Sequence, residues 1–252
     1  SLTKENLLKK ILKSPLFWTG VISLLGRIFL IYIYPDNYAF DAFQRWAGRE
    51  HLLIRDWLPA TQFVIWMVAK LGGGIVTTKL ALSFIATLAS ISAVAIAQNI
   101  GGRLAAWLLL PIGLFSPFLI WSATMYQEGV FLFLSLSSIA LILHLPRKWF
   151  WIVDTMVGLL ALTRYEGWIF ILLYIIWRRE KIALLSLWGP LLWIAIKASQ
   201  IESYSPSPVD YADWNGILER FDPILYLKDW WHLLYRAWYS WGLFLWILGA
   251  WG

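Results

Sequence analysis

Apolar residues in this chain come as long unbroken runs rather than as one-sided stripes. The runs fall at 15–34, 79–97, 104–121, 129–143, 149–163, 167–177, 182–196 and 237–251. The first can cross roughly 30 Å as a helix rising about 1.5 Å per residue. It follows Lys4, Lys9, Lys10 and Lys13, has no small-residue cleavage site and exceeds a signal-peptide core. An uncleaved first helix is expected. The run at 149–163 covers only about 22 Å as a helix, and 167–177 is shorter still. Between them lies the charged turn Thr163-Arg164-Tyr165-Glu166-Gly167. Such a turn is expected below the membrane surface, lining a wet or protein-walled cavity. The pattern predicts an all-α polytopic membrane protein with about seven or eight transmembrane helices, built as one domain over residues 1–252.

The connections alternate between two chemical types. Residues 1–14, 98–103, 144–148 and 178–181 are short and dense in Lys and Arg, with Glu5 and Glu180 as their acids. Residues 35–78, 122–128, 164–166 and 197–236 hold 12 of the 15 acids. Short basic loops stay in the cytoplasm, so the first set is expected inside and the second outside, with Lys79 at the edge of an outer loop. In the long loop 35–78, Asp41–Leu53 reads as an interfacial amphipathic helix. Phe43, Trp46, Ala47 and Leu53 form its apolar face, with Gln44, Arg45 and Arg49 opposite. Trp57–Leu71 is apolar but for Pro59, Gln62 and Lys70, and is expected to lie along or dip into the bilayer. The second long loop, 197–236, is expected to carry short helices at Asn215–Arg220 and near Tyr226–Leu234. No internal repeat is visible.

Composition sharpens this picture. Hydrophobic residues make up 60% of the 252 positions and charged ones 14%. A soluble domain of this size cannot cover that much apolar side chain. The 19 Trp and 11 Tyr fit rings collected at two membrane interfaces. The net charge of +6 is scattered between apolar runs, which argues against a nucleic-acid partner. There is no Cys, so thiol chemistry and disulfides are excluded, and the three scattered His give no zinc spacing.

A few polar residues can carry chemistry. Asp36 and Asp41 follow the first helix in Pro-Asp-Asn-Tyr-Ala-Phe-Asp-Ala-Phe-Gln-Arg-Trp. Either carboxylate can act as a general base on a hydroxyl arriving from water. Asp41 can equally be the N-cap of the amphipathic helix. Glu128 opens an apolar run, where an acid also complements the helix dipole. Arg164 and Glu166 have a functional reading, because intramembrane ionisable groups face cavities, and a scaffold reading, in which they pair with each other or with Glu128. Arg27 can snorkel outward or hold a phosphate. Asp154 is expected to be paired or wetted and is given no role.

The order of these features resembles the GT-C superfamily of membrane glycosyltransferases. The resemblance rests on Asp41-Ala42-Phe43-Gln44-Arg45-Trp46, on Asp56-Trp57-Leu58-Pro59, on Glu128 at an outer turn, and on Leu162-Thr163-Arg164-Tyr165-Glu166-Gly167-Trp168. The last stretch is most similar to prokaryotic and archaeal relatives of the dolichyl-phosphate-mannose mannosyltransferases. The resemblance implies a sugar donor linked to polyprenyl or dolichyl phosphate, an outward-facing site, and a first-loop acid as catalytic base. Asp41 matches that position best and Asp36 is the reserve; many relatives carry two adjacent acids where this chain has Asp41-Ala42. The acceptor would be a hydroxyl of a glycan, lipid or protein. Arg164 (with Glu166 and Glu128), Arg27, Arg45 and Arg236 are the candidate substrate- and phosphate-binding residues. A lipid phosphate leaves as a monoester, so a metal is not required in principle, and no cofactor is expected. Relatives are usually longer, so the chain is expected to be a minimal or shortened version. The competing readings are a transporter or lipid flippase, which would show repeated halves with broken helices, and a non-catalytic subunit of a membrane assembly.

Overall fold

The computed structural model describes residue 6 and residues 11–33, 40–53, 58–114, 125 and 127–201. Of 40, 41 and 197–201 only the backbone is described. The chain gathers into two units, Ser1–Ile196 and Lys197–Gly252. The account below concerns the first unit. Asp36, Arg236, most of the loop 197–236 and the run 237–251 lie outside the described residues.

Among the described residues the structure is helical, with no strand. Helix α1 is Pro15–Ile33, α2 Phe40–Ala47, α3 Pro59–Lys70 and α4 Ile75–Leu109, which passes into a 3-10 turn at Leu110–Leu114. Then come α5 (Glu128–His144), a 3-10 turn at Arg147–Trp149, α6 (Phe150–Ala161) and α7 (Glu166–Arg178). A 3-10 stretch, Lys181–Leu187, leads into α8 (Trp188–Ile201).

On α1 and α4 small and hydroxylated side chains make up much of the face packed against neighbouring helices, while Leu82, Val94 and the clusters around Leu160 and Val157 form a buried apolar core. On α1 the buried positions are Pro15, Thr19, Ser23, Arg27 and Ile31, one every fourth residue, whereas Leu25, Phe29 and Tyr32 are exposed. On α4 the buried stripe includes Ser83, Ala86, Thr87, Ala89, Ser90 and Ala93, with Phe84 exposed. Helices surrounded by lipid gain nothing by hiding Leu or Phe and pack instead through small residues. The buried hydroxyls are satisfied locally: Thr19 donates to the Pro15 carbonyl (2.9 Å) and Thr87 to that of Ser83 (2.8 Å). Hydroxyls also join helices, Ser23 to Ser90 at 3.2 Å and Ser92 to Ser137 at 2.8 Å.

Pro15–Ile33 and Ile75–Leu114 are long and apolar enough to cross a membrane; Glu128–His144 and Lys181–Ile196 are shorter apolar helices. The 98–103 loop expected from the sequence shrinks to a turn centred on Gly102, whose φ of 73° and ψ of −167° interrupt α4. The chain doubles back there. Ser90 and Gly113, about equally far from Gly102, come together beside Ser23 of α1, and a Cβ on Gly113 would stand 3.0 Å from the Ser90 oxygen. Glycine alone takes this φ without steric cost.

The expected loops sort to two ends of the bundle. At one end, Arg45 of α2 meets Gln127, Glu128 of α5 meets Arg164, and the Ala60 amide donates to the Leu162 carbonyl at 2.9 Å. At the other, Arg103 donates to the Lys13 carbonyl at 2.8 Å and Arg147 pairs with Glu180 at 3.8 Å. Helices α6 and α8 cross with almost no spacer. A Cβ on Gly189 would run into the Gly158 carbonyl, and one on Gly158 into the Trp188 ring.

Three expectations are corrected. The amphipathic helix is shorter than 41–53 and its faces do not divide as expected: Ala42 and Arg45 are buried and Trp46 packs against the core, while Phe43 and Gln44 are both exposed. The buried guanidinium finds a partner in Gln127. Lys79 is not at a loop edge; it is fully buried, in the first turns of α4. Arg27 does not snorkel. It is buried beneath the 3-10 turn, donating to the Ser23 carbonyl at 3.0 Å, to the Ser23 hydroxyl and to the Gly113 carbonyl at 3.3 Å.

Candidate functional site

The Glu128 end gathers polar residues from segments far apart in sequence. Pro59 opens α3 at its first turn, where a missing N–H costs nothing. The Ala60–Leu162 bond then ties α3 to the turn between α6 and α7. Leu58, Leu162 and Trp193 pack together beside it. Gln62 reaches from α3 to the end of α2, where its amide nitrogen lies 3.3, 3.2 and 3.1 Å from the carbonyls of Arg45, Gly48 and His51. Of these, the Arg45 carbonyl belongs to the last turn of α2, where helical carbonyls lack intrahelical partners, while Gly48 and His51 follow the helix. Arg45, one turn after Asp41, donates to Gln127 Oε1 at 2.7 Å. The backbone of Asp41 lies in the first turn of α2.

Gln127 adjoins Glu128, which opens α5, and Glu128 Oε1 pairs with Arg164 Nη1. Arg164 also grips Glu166: Nη2 reaches Oε1 at 2.7 Å, and Nε lies 3.2 Å from both oxygens. Glu128 Oε2 is buried and has no hydrogen-bond partner among the described residues. A buried carboxylate oxygen of this kind calls for a donor from water or from a substrate hydroxyl. Gly167 lets α7 start tight against α6, since a Cβ there would stand 2.6 Å from the Leu160 carbonyl. On the rim, exposed Glu50 accepts a 3.1 Å bond from Lys70, which holds its pKa below the ordinary value.

The structure therefore brings Arg45, Glu128, Arg164 and Glu166 to one end, along with the helix that bears Asp41. It sets Arg27 apart, enclosed between α1 and the 3-10 turn. The side chain of Asp41, and Asp36 and Arg236 entirely, lie outside the described residues. Sequence reasoning missed Gln127, the carbonyl-binding role of Gln62, and Met125, buried with a φ of 63°. Gln62 was detectable as an amide in an otherwise apolar stretch; Met125 carries no signal. At the opposite end Asp154 is buried and paired with Arg178, and the Tyr174 hydroxyl donates to Asp154 Oδ1 at 2.8 Å. No cluster of three or more potential metal-ligating side chains occurs among the described residues. Comparison with protein-family models, with curated proteins and with solved structures gives no match.

Proposed function

We propose that this chain is a polytopic membrane glycosyltransferase of GT-C type, with about seven or eight transmembrane helices, its N-terminus in the cytoplasm and its Glu128 end outside. It would take a sugar from a polyprenyl or dolichyl phosphate donor and pass it to an acceptor hydroxyl. The observation that carries the reading is convergence. The stretches that prompted the resemblance, around Asp41, Leu58-Pro59, Glu128 and Arg164, meet at one end of the bundle. There a buried carboxylate oxygen has no donor among the described residues.

In this mechanism Asp41 takes the proton of the acceptor hydroxyl. The hydroxyl oxygen attacks the anomeric carbon, the bond to the phosphate oxygen breaks, and the lipid phosphate leaves with the electron pair, inverting the centre. Arg45 supplies a cation near the leaving group. Arg164 joins it by exchanging a carboxylate partner for the phosphate, to which a guanidinium binds in bidentate fashion. Glu128 Oε2 accepts from a substrate hydroxyl.

The test is transfer from a polyprenyl-phosphate sugar by the purified chain and its Asp41→Asn variant. Loss of a positioned base should slow transfer by about 10²–10⁴-fold while leaving donor binding intact. A normal rate in Asp41→Asn with a collapsed one in Asp36→Asn moves the base to Asp36. Normal rates in both would refute the base assignment and the proposed mechanism with it.

A further inference from the structure

The end of the bundle opposite Glu128 carries a built edge of positive charge. Arg147 and Lys148 follow α5, and Arg179 and Lys181 follow α7; all four are exposed. The contact of Arg147 with Glu180 at 3.8 Å draws the two turns together. Arg178 is not part of this edge, because it turns inward to Asp154, with its side chain only 5% exposed. Among the described residues of these two turns the one acid is Glu180, which Arg147 meets and Arg178 engages at 3.3 Å. Arg147 extends furthest, its side chain 88% exposed. Exposed Trp149, Trp151 and Trp177 lie next to these bases in sequence, the first two with ring centres 6.3 Å apart. Indole rings beside lysine and arginine are the chemistry of a lipid headgroup zone.

A second observation is independent of charge counting. Arg179 occupies the left-handed position that ends α7, with φ 55° and ψ 18°. That position favours glycine, because any Cβ there is strained. The chain keeps an exposed arginine where glycine would be more stable, and strain retained in this way marks a place where the side chain itself is used.

We propose that this edge binds the phosphate of an anionic phospholipid headgroup, with Arg147, Lys148, Arg179 and Lys181 as its cations. The proposal rests on the membrane reading of the bundle and not on glycosyl transfer. The full chain would be placed in phosphatidylcholine bilayers and in neutral detergent. In detergent it would be titrated with phosphatidylglycerol, phosphatidylcholine or glycerol phosphate. The expected result is a preference for phosphatidylglycerol that weakens roughly fivefold for each base removed. Arg179→Gly is the decisive variant: it should lose lipid affinity while melting no lower in neutral detergent, since glycine relieves the strain. Arg147→Gln with Lys148→Gln, which alters no backbone preference, should weaken binding as well. Equal affinity for the two lipids, or a preference that survives all four substitutions, would overturn the proposal. So would glycerol phosphate binding as tightly as the lipid, because the ligand would then be a soluble phosphate. A chain that never enters phosphatidylcholine bilayers would remove the membrane reading and this proposal together, whereas one that enters without a lipid preference removes only the latter.

Discussion

Arg164 lies between two carboxylates, and removing it exposes both. Arg164→Ala should lower stability by about 1–3 kcal/mol, because partly buried Glu128 loses its cation. Arg164→Lys keeps the charge but not the fork, so it should melt closer to the parent while still binding the lipid-phosphate donor more weakly. Unchanged donor affinity in both variants, with a lower melting temperature in Arg164→Ala, would make the residue purely structural. A second test concerns space. Gly189→Ala forces a methyl group into the Gly158 carbonyl and should cost about 1–3 kcal/mol, read as a lower melting temperature in detergent. Gly74→Ala is the control, since a Cβ there meets nothing within 4 Å. The pairing of Arg164 with acids was legible in the sequence, because two short runs flank it and a bare guanidinium there is costly. The roles of Gly158 and Gly189 were not, because backbone contact between helices leaves no mark in hydropathy.

At the scale of elements, α2 shows both what hydropathy reveals and what it hides. Its existence follows from the alternation of aromatic and polar residues after the first helix. Its orientation does not, because an apolar face points inward in water and outward in lipid. The same pattern thus allows Phe43 to be exposed and Arg45 buried. What fixes the choice is partners, Gln127 for the guanidinium and Gln62 for the carbonyls at the end of the helix. Gln62→Glu tests this with almost no change of shape, since a carboxylate has no N–H to donate. It should destabilise about as much as Gln62→Leu, on the order of 1–3 kcal/mol, measured by thermal melting. If Gln62→Glu melts like the parent, the three carbonyl contacts do not hold α2.

For the whole molecule, the grouping of connections into two ends was legible from charge alone, and the structure places the described members of each set accordingly. The proposal that the basic end faces the cytoplasm rests on the density of bases and is open to direct test. The chain has no Cys, so single cysteines report cleanly. In intact cells an impermeant thiol reagent should label Asn37→Cys and Ser205→Cys and spare Lys148→Cys; the opposite pattern would invert the orientation. The extent of α4 was harder to foresee. Runs 79–97 and 104–121 look separate because polar residues divide them, yet the helix runs on to the single turn at Gly102.

That turn has a consequence for how copies of the chain treat one another. The hairpin turns at one residue, and about 1–3 kcal/mol of strain on a non-glycine residue in this glycine-only conformation works toward opening it. An opened rod would lay its second arm against the Ser23–Ser90 seam of another copy as readily as its own. Gly102→Val should therefore shift the protein from single copies toward exchanged dimers, each contributing an arm to the other. Light scattering of detergent-purified parent and variant would show the change in mass, and an unchanged mass would mean that the seam, rather than the glycine, keeps the arm at home.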